Sequence, residues 1–115
     1  MSTLTFNAYQ TQALSTAIYP EKGTGSALAL AYVGLGLGEA GEVQGKLKKV
    51  IRDNGGVLTE QARTDIGKEL GDLLWYVAGA ASELGLDLGD VAQGNLDKLS
   101  DRQMRGVLGG SGDNR

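Results

Sequence analysis

Gly38-Glu39-Ala40-Gly41-Glu42-Val43 and Lys68-Glu69-Leu70-Gly71-Asp72-Leu73-Leu74-Trp75-Tyr76 decide how this chain is read. Each stretch sets two carboxylates three residues apart, one helical turn, so both project from the same face. Followed at helical spacing, the first face carries Glu39, Glu42, Lys46 and Lys49, and the second carries Asp65, Glu69, Asp72 and Tyr76. Two such helices packed face to face crowd four negative charges into one cleft, which is costly unless a cation sits between them. Oxygen-only ligands suit a hard cation, Mg²⁺ or Mn²⁺. Lysines further along the first helix suit phosphate oxygens, and Tyr76 suits stacking or hydrogen bonding to a base or sugar. The bland alternative is a solvated face: Glu-x-x-Glu is common, and Glu42–Lys46 is an ordinary i,i+4 pair. These pairs differ from that background because they sit among apolar residues and glycines. Carboxylates inside a packing surface point to metal-dependent chemistry on a phosphate-bearing substrate.

Outward from these pairs the chain reads as helices throughout. Phe6, Tyr9, Ala13 and Ala17 recur at helical spacing, with Thr3 or Thr5 as the N-cap, and predict a first helix ending near Tyr19, before Pro20 and a glycine-containing loop. Ser26 caps a long second helix to about residue 53, with Tyr32, Ala40, Val43, Leu47, Val50 and Ile51 on its apolar side. Gly34, Gly38, Gly41 and Gly45 form a stripe along it, which reads as a face for close packing, with a break around 34–38 as the alternative. After Asn54-Gly55-Gly56, Thr59 caps a third helix over 60–84, whose core face is Ile66, Leu70, Leu73, Leu74 and Val77. A capping-box-like Asp87-Leu88-Gly89-Asp90 opens a fourth helix to about residue 105, with Val91, Leu96 and Leu99 for packing. Trp75 reads as core or subunit interface, and Lys46, Lys48 and Lys49 form a cationic cluster, with a solvated face as the equal alternative for Lys48. The fold class expected is all-α, four-helix bundle-like and oligomeric, with one domain over 1–108 and a flexible glycine-rich tail over 109–115.

Composition narrows the chemistry. The 115 residues contain no cysteine and no histidine, which excludes disulfides, thiolate or imidazole zinc sites and Ser-His or Cys-His nucleophiles. Carboxylates, lysines, tyrosines and metal-bound water remain as acid-base groups. A net charge of −3 argues against a nucleic-acid partner. No apolar run reaches the roughly 20 residues that span a bilayer, and the amino terminus lacks the basic-then-apolar order of a signal peptide. A cytoplasmic protein without membrane contact is expected.

The two carboxylate pairs, their flanking words and the spacer 43–68 between them resemble the signature of the MazG-like nucleotide pyrophosphohydrolases of the all-α NTP pyrophosphatase superfamily. The resemblance runs from about Phe6 to Leu99. It implies hydrolysis of a nucleoside triphosphate, ribo or deoxy, between the α and β phosphates. It also implies Mg²⁺, or Mn²⁺, on Glu39, Glu42, Glu69 and Asp72 as the catalytic and metal set. Lys49 and Tyr76 match positions where relatives contact substrate, Lys46 shares the helix-two cationic face, and Asn95 and Lys98 resemble a polar pair near the phosphates. Dimers or tetramers of one chain, with sites at subunit contacts, are also implied. Other activities of the superfamily share the framework: dUTPase-like or dCTPase-like hydrolysis and phosphoribosyl-ATP pyrophosphohydrolysis. Some relatives that select a pyrimidine base use histidine or additional aromatics early in the chain. This sequence has no histidine, so no base preference is carried over. A non-catalytic helical module for nucleotide binding or oligomerisation is the alternative from another class.

Overall fold

The structure is a computed structural model describing residues 3–114. Met1 and Ser2, on which the leader reading partly rests, and Arg115 of the expected tail lie outside the described residues. The described residues are all-α, with five helices: α1 (Phe6–Ser15), α2 (Ala27–Gly36), α3 (Glu39–Asp53), α4 (Glu60–Glu83) and α5 (Leu88–Met104). Among them, no helix is long and apolar enough to cross a membrane.

Three of the expected caps hold. Thr5, Ser26 and Thr59 each accept a hydrogen bond from the backbone N–H three residues on, at 3.0, 3.1 and 3.1 Å. Two boundaries move. The first helix ends at Ser15 rather than near Tyr19, and beyond it Ala17 and Tyr19 turn inward to be buried. The long second helix divides at Leu37 and Gly38. There the i→i+4 ladder gives way to i→i+3 bonds, Leu37 N–H to Gly34 O at 3.1 Å and Gly38 N–H to Leu35 O at 3.2 Å, a local tightening of the helix.

The start of α5 corrects the capping-box expectation. Asp87 occupies the N-cap position without a side-chain hydrogen bond. Instead α1 caps α5 from across the fold: Leu88 N–H donates to Gln10 Oε1 at 2.8 Å and Gly89 N–H to Asn7 Oδ1 at 2.8 Å. Gln10 Nε2 also donates to Leu86 O at 2.8 Å and Ser82 Oγ at 3.2 Å, so one buried amide secures the α4–α5 turn.

The core lies where α1, α2 and the second half of α4 meet, and it is built of small residues. Ala17, Tyr19, Ala29 and Val33 form one cluster and Ala13, Ala78 and Leu88 another, with Trp75 packed against both. Gly79 lets α4 close on Val33 of α2, where an added β-carbon would stand 3.2 Å from a Val33 methyl. This differs from the expected core. Tyr32, Leu47, Ile51, Leu70, Leu96 and Leu99 are exposed in the single chain. The expected glycine stripe also differs: among the described residues nothing lies within 4 Å of a β-carbon built at Gly34, Gly41 or Gly45.

A second buried polar centre holds the loop after α1. The Glu83 carboxylate accepts from Gly23 N–H at 2.8 and 3.1 Å, from Gly25 N–H at 3.3 Å and from the Tyr19 hydroxyl at 3.3 Å. Burial, and then the Glu83 charge and hydrogen bond, raise the Tyr19 phenol above its ordinary value.

Candidate functional site

The break at Leu37–Gly38 makes Glu39 the first residue of α3, so Glu39 and Glu42 fall in that helix's first turn, where the backbone dipole favours anions. α4 packs along α3 and brings Glu69 and Asp72 opposite. One carboxylate oxygen from each of Glu39, Glu69 and Asp72 lies within 4.8 Å of the other two. Glu39 and Glu69 are half-buried and Asp72 is exposed.

The electrostatics match the geometry. The Glu39 carboxyl is raised above the usual carboxylate range, first by loss of hydration, then by the charges of Glu69, Glu42 and Asp72, and by a hydrogen bond with Glu69. Glu42 is outside the trio but close enough to act on it. The donors fit a hard cation: all are carboxylate oxygens.

Beside the trio is a cleft of about 430 Å³ lined by Thr16, Glu39, Asp72, Trp75 and Tyr76. Trp75 and Tyr76 meet edge to face, with centroids 5.2 Å apart at 87°. The Trp75 indole N–H donates to Thr16 Oγ1 at 2.9 Å, and the Thr16 hydroxyl donates to Ala13 O at 2.8 Å. The indole is thereby fixed to the end of α1. A β-carbon at Gly36 would overlap the Tyr76 ring. The Tyr9 phenol is raised by burial and then by the charge of Asp72.

The remaining expected site residues are distributed differently. Lys46 Nζ stands 3.7 Å from Glu69. Lys46 and Lys49 both line a second cleft between α3 and α4, of about 320 Å³, together with Asp53, Thr59 and Asp65. Asp65 accepts from Gln61 Nε2 at 2.9 Å. Asn95 is exposed on α5, which packs on α1 and α4. Lys98 is engaged by Asp113, at 2.7 Å. Thr16 is missing from the sequence reading and Tyr9 appears there only for the apolar spacing of the first helix, since nothing local relates α1 to the carboxylate motif. Trp75, expected in the core or an interface, packs on the core and also walls the cleft.

Comparison with known proteins identifies the family. The family model for the MazG nucleotide pyrophosphohydrolase domain matches residues 30–106, a span that includes all four carboxylates. The "Gene 37 protein" of Mycobacterium phage L5 is 51% identical over 109 residues, covering 93% of this chain and 96% of that protein. No solved structure matches the chain.

Proposed function

Since the chain belongs to the MazG nucleotide pyrophosphohydrolase family, we propose that it hydrolyses nucleoside triphosphates, ribo or deoxy, to the monophosphate and pyrophosphate in an Mg²⁺-dependent reaction. The observation that carries this reading is the oxygen trio of Glu39, Glu69 and Asp72 at the edge of a cleft walled by Trp75 and Tyr76. Glu39, Glu69 and Asp72, with Glu42 at their margin, would hold the ion, which supplies neutralisation of charge on the phosphate oxygens. Lys46 and Lys49 extend positive charge away from the trio to meet the phosphate chain. Tyr76 and Trp75 flank the space for the base, and Thr16 fixes the indole. A carboxylate of this group accepts the proton of the attacking water. As the water oxygen bonds to phosphorus, the α–β bridging bond breaks and pyrophosphate leaves. The same reading puts the work in the cytoplasm, where the triphosphate pool lies.

Pyrophosphate release from a panel of NTPs and dNTPs, with Mg²⁺ and with chelator, tests this. Release should require the ion, and Glu42→Gln or Asp72→Asn should abolish it while the helical circular dichroism is unchanged. Normal turnover by those variants would sink the assignment.

A partner of the same chain belongs to this reading. The single chain exposes 7950 Å², against about 6,000 Å² for a folded monomer of this mass. Its radius of gyration is 17.0 Å, against about 13 Å for a globular domain of this length. A surplus of about 2,000 Å² per chain suits an obligate interface. The exposed Leu28, Tyr32 and Leu35 of α2 and Leu47 and Ile51 of α3 supply apolar surface for it. Sedimentation at micromolar concentration should give a dimer or tetramer; a monomer would refute the assembly.

A further inference from the structure

The turn between α3 and α4 joins an asparagine to two glycines. Asn54 is the C-cap residue of α3. Gly55 and Gly56 take left-handed φ values of 58° and 79°, a conformation that favours residues without a β-carbon. Val57 N–H donates to Asn54 O at 2.9 Å, and Gly56 N–H donates to Val50 O at 3.0 Å. The Asn54 side chain closes the turn from its other side, Nδ2 donating to Val57 O at 2.8 Å. Between these bonds the Gly55 N–H has no hydrogen-bond partner among the described residues. Asn54, Gly55 and Gly56 are all exposed, and nothing lies within 4 Å of a β-carbon built at either glycine.

That arrangement exposes a reactive pair. An asparagine carboxamide is electrophilic at Cγ, and the backbone nitrogen of the next residue can reach it by closing a small ring. Closure needs a nitrogen outside any hydrogen bond, a next residue with no side chain in the way, and a main chain free to rotate. Asn54 and Gly55 meet all three conditions. At the ψ of 24° that Asn54 adopts the ring is not yet closed, so reaction follows opening of the Nδ2–Val57 bond, and the two glycines let the chain turn. Asn7 and Asn95 are unlike it. Asn7 Oδ1 accepts from Gly89 N–H at 2.8 Å, and the Ala8 N–H that follows it donates to Thr5 Oγ1 at 3.0 Å. Asn95 lies inside α5, where the next backbone N–H belongs to the helical ladder.

We propose that Asn54 is a self-modification site, where the Gly55 nitrogen displaces ammonia to form a succinimide that water opens to aspartate or isoaspartate. The Gly55 nitrogen gives up its proton and bonds to Asn54 Cγ, the Cγ–Nδ2 bond breaks, and ammonia leaves carrying the proton. Water then adds to one of the two ring carbonyls. Addition at Cγ restores the original main chain with an aspartate. Addition at the main-chain carbonyl leaves the chain running through Cβ and Cγ, longer by one methylene. Water is consumed, ammonia is released, and nothing is oxidised or reduced. Either product loses the donor to Val57 O. Either also puts a negative charge beside Asp53 at the carboxyl end of α3, where the helix dipole disfavours it. Asn54 lines the cleft that holds Lys46, Lys49 and Asp65, so the new charge enters that cleft and the turn that joins its two walls loosens with age.

Full-length protein incubated in neutral buffer made with heavy-oxygen water tests this, with peptide mapping by electron-transfer fragmentation at intervals. A free peptide of residues 50–60 in the same buffer serves as the clock. Heavy oxygen should enter residue 54 and yield both aspartate and isoaspartate there, while Asn7 and Asn95 in the same samples stay amidated. Gly55→Ala, which sets a methyl group beside the attacking nitrogen, should slow the conversion. Asn54→Asp, the direct product made genetically, should lower Tm by about 3–6 °C through the lost hydrogen bond and the added charge. An intact Asn54 in the folded protein after the peptide has fully converted would overturn the proposal, and so would equal conversion at Asn7, Asn54 and Asn95. An unchanged Tm for Asn54→Asp would overturn the loosening of the turn.

Discussion

Gly36 of α2 lies against the ring of Tyr76 of α4 so closely that no β-carbon fits between them. The contact sets where the Tyr76 ring stands in the cleft beside the carboxylates. Gly36→Ala must push the ring away. It should cost about 1–3 kcal/mol, as overpacking does, and raise KM for the triphosphate more than it lowers kcat. Urea denaturation and steady-state kinetics measure both. An unaltered KM would separate Tyr76 from substrate binding.

Gln10 replaces an absent local cap. Gln10→Leu strips partners from Leu88 N–H and Leu86 C=O in a buried setting, and an unsatisfied buried group costs about 1–3 kcal/mol. A loss of roughly 2–5 kcal/mol is expected by denaturant titration. Gln10→Glu keeps the acceptor for Leu88 but not the donor to Leu86 and should fall between the two.

Glu39 links metal to pH. Its folded-state value is raised, so in the free protein its contribution to stability is present at low pH and fades as pH rises through that raised value. A bound cation requires the ionised carboxylate. The gain in Tm on adding Mg²⁺ should therefore be greatest at neutral pH and shrink as pH falls toward the Glu39 range. Glu39→Gln should leave the chelated protein at least as stable as wild type at pH 7 while losing the Mg²⁺-dependent gain. A pH-independent gain would place the ion elsewhere.

Glu83 is an acceptor for three donors. Glu83→Gln swaps one of its oxygens for an N–H₂ that faces Gly23 and Gly25 N–H. A loss of about 2–4 kcal/mol is expected, with faster amide exchange at Gly23 and Gly25 than at α4 residues. Uniform acceleration across the chain would show that the loop and the helix open together.

What the sequence discloses about this molecule is what short-range geometry determines. Thr5, Ser26 and Thr59 cap helices within three residues of themselves, so their roles can be read directly. Glu39, Glu69 and Asp72 meet because each motif fixes a helical face and two apolar faces pack. Longer-range relations were hidden. Asn7 and Gln10 look like ordinary polar residues of an amphipathic helix, yet they cap α5. The glycines of α2 and α3 suggested a packing stripe, whereas the tight approach occurs at Gly36, off that stripe. Leu70 and Leu96 follow core periodicity and are exposed in a single chain, because periodicity identifies an apolar face without saying which chain covers it. Lys98 matches a phosphate-contact position, but an aspartate fifteen residues later now holds it.

The capping of α5 by α1 also has a consequence for synthesis. The bonds from Asn7 and Gln10 to Gly89 and Leu88 join points 82 and 78 residues apart, so their closure entropy is met only once residue 89 has been made. On the ribosome, α1 is free to pack on α4 as that helix emerges, but its bonds to α5 form only when residue 89 is free. Closure of α1 on α5 is thus a late event, slower than the local order of five helices would suggest.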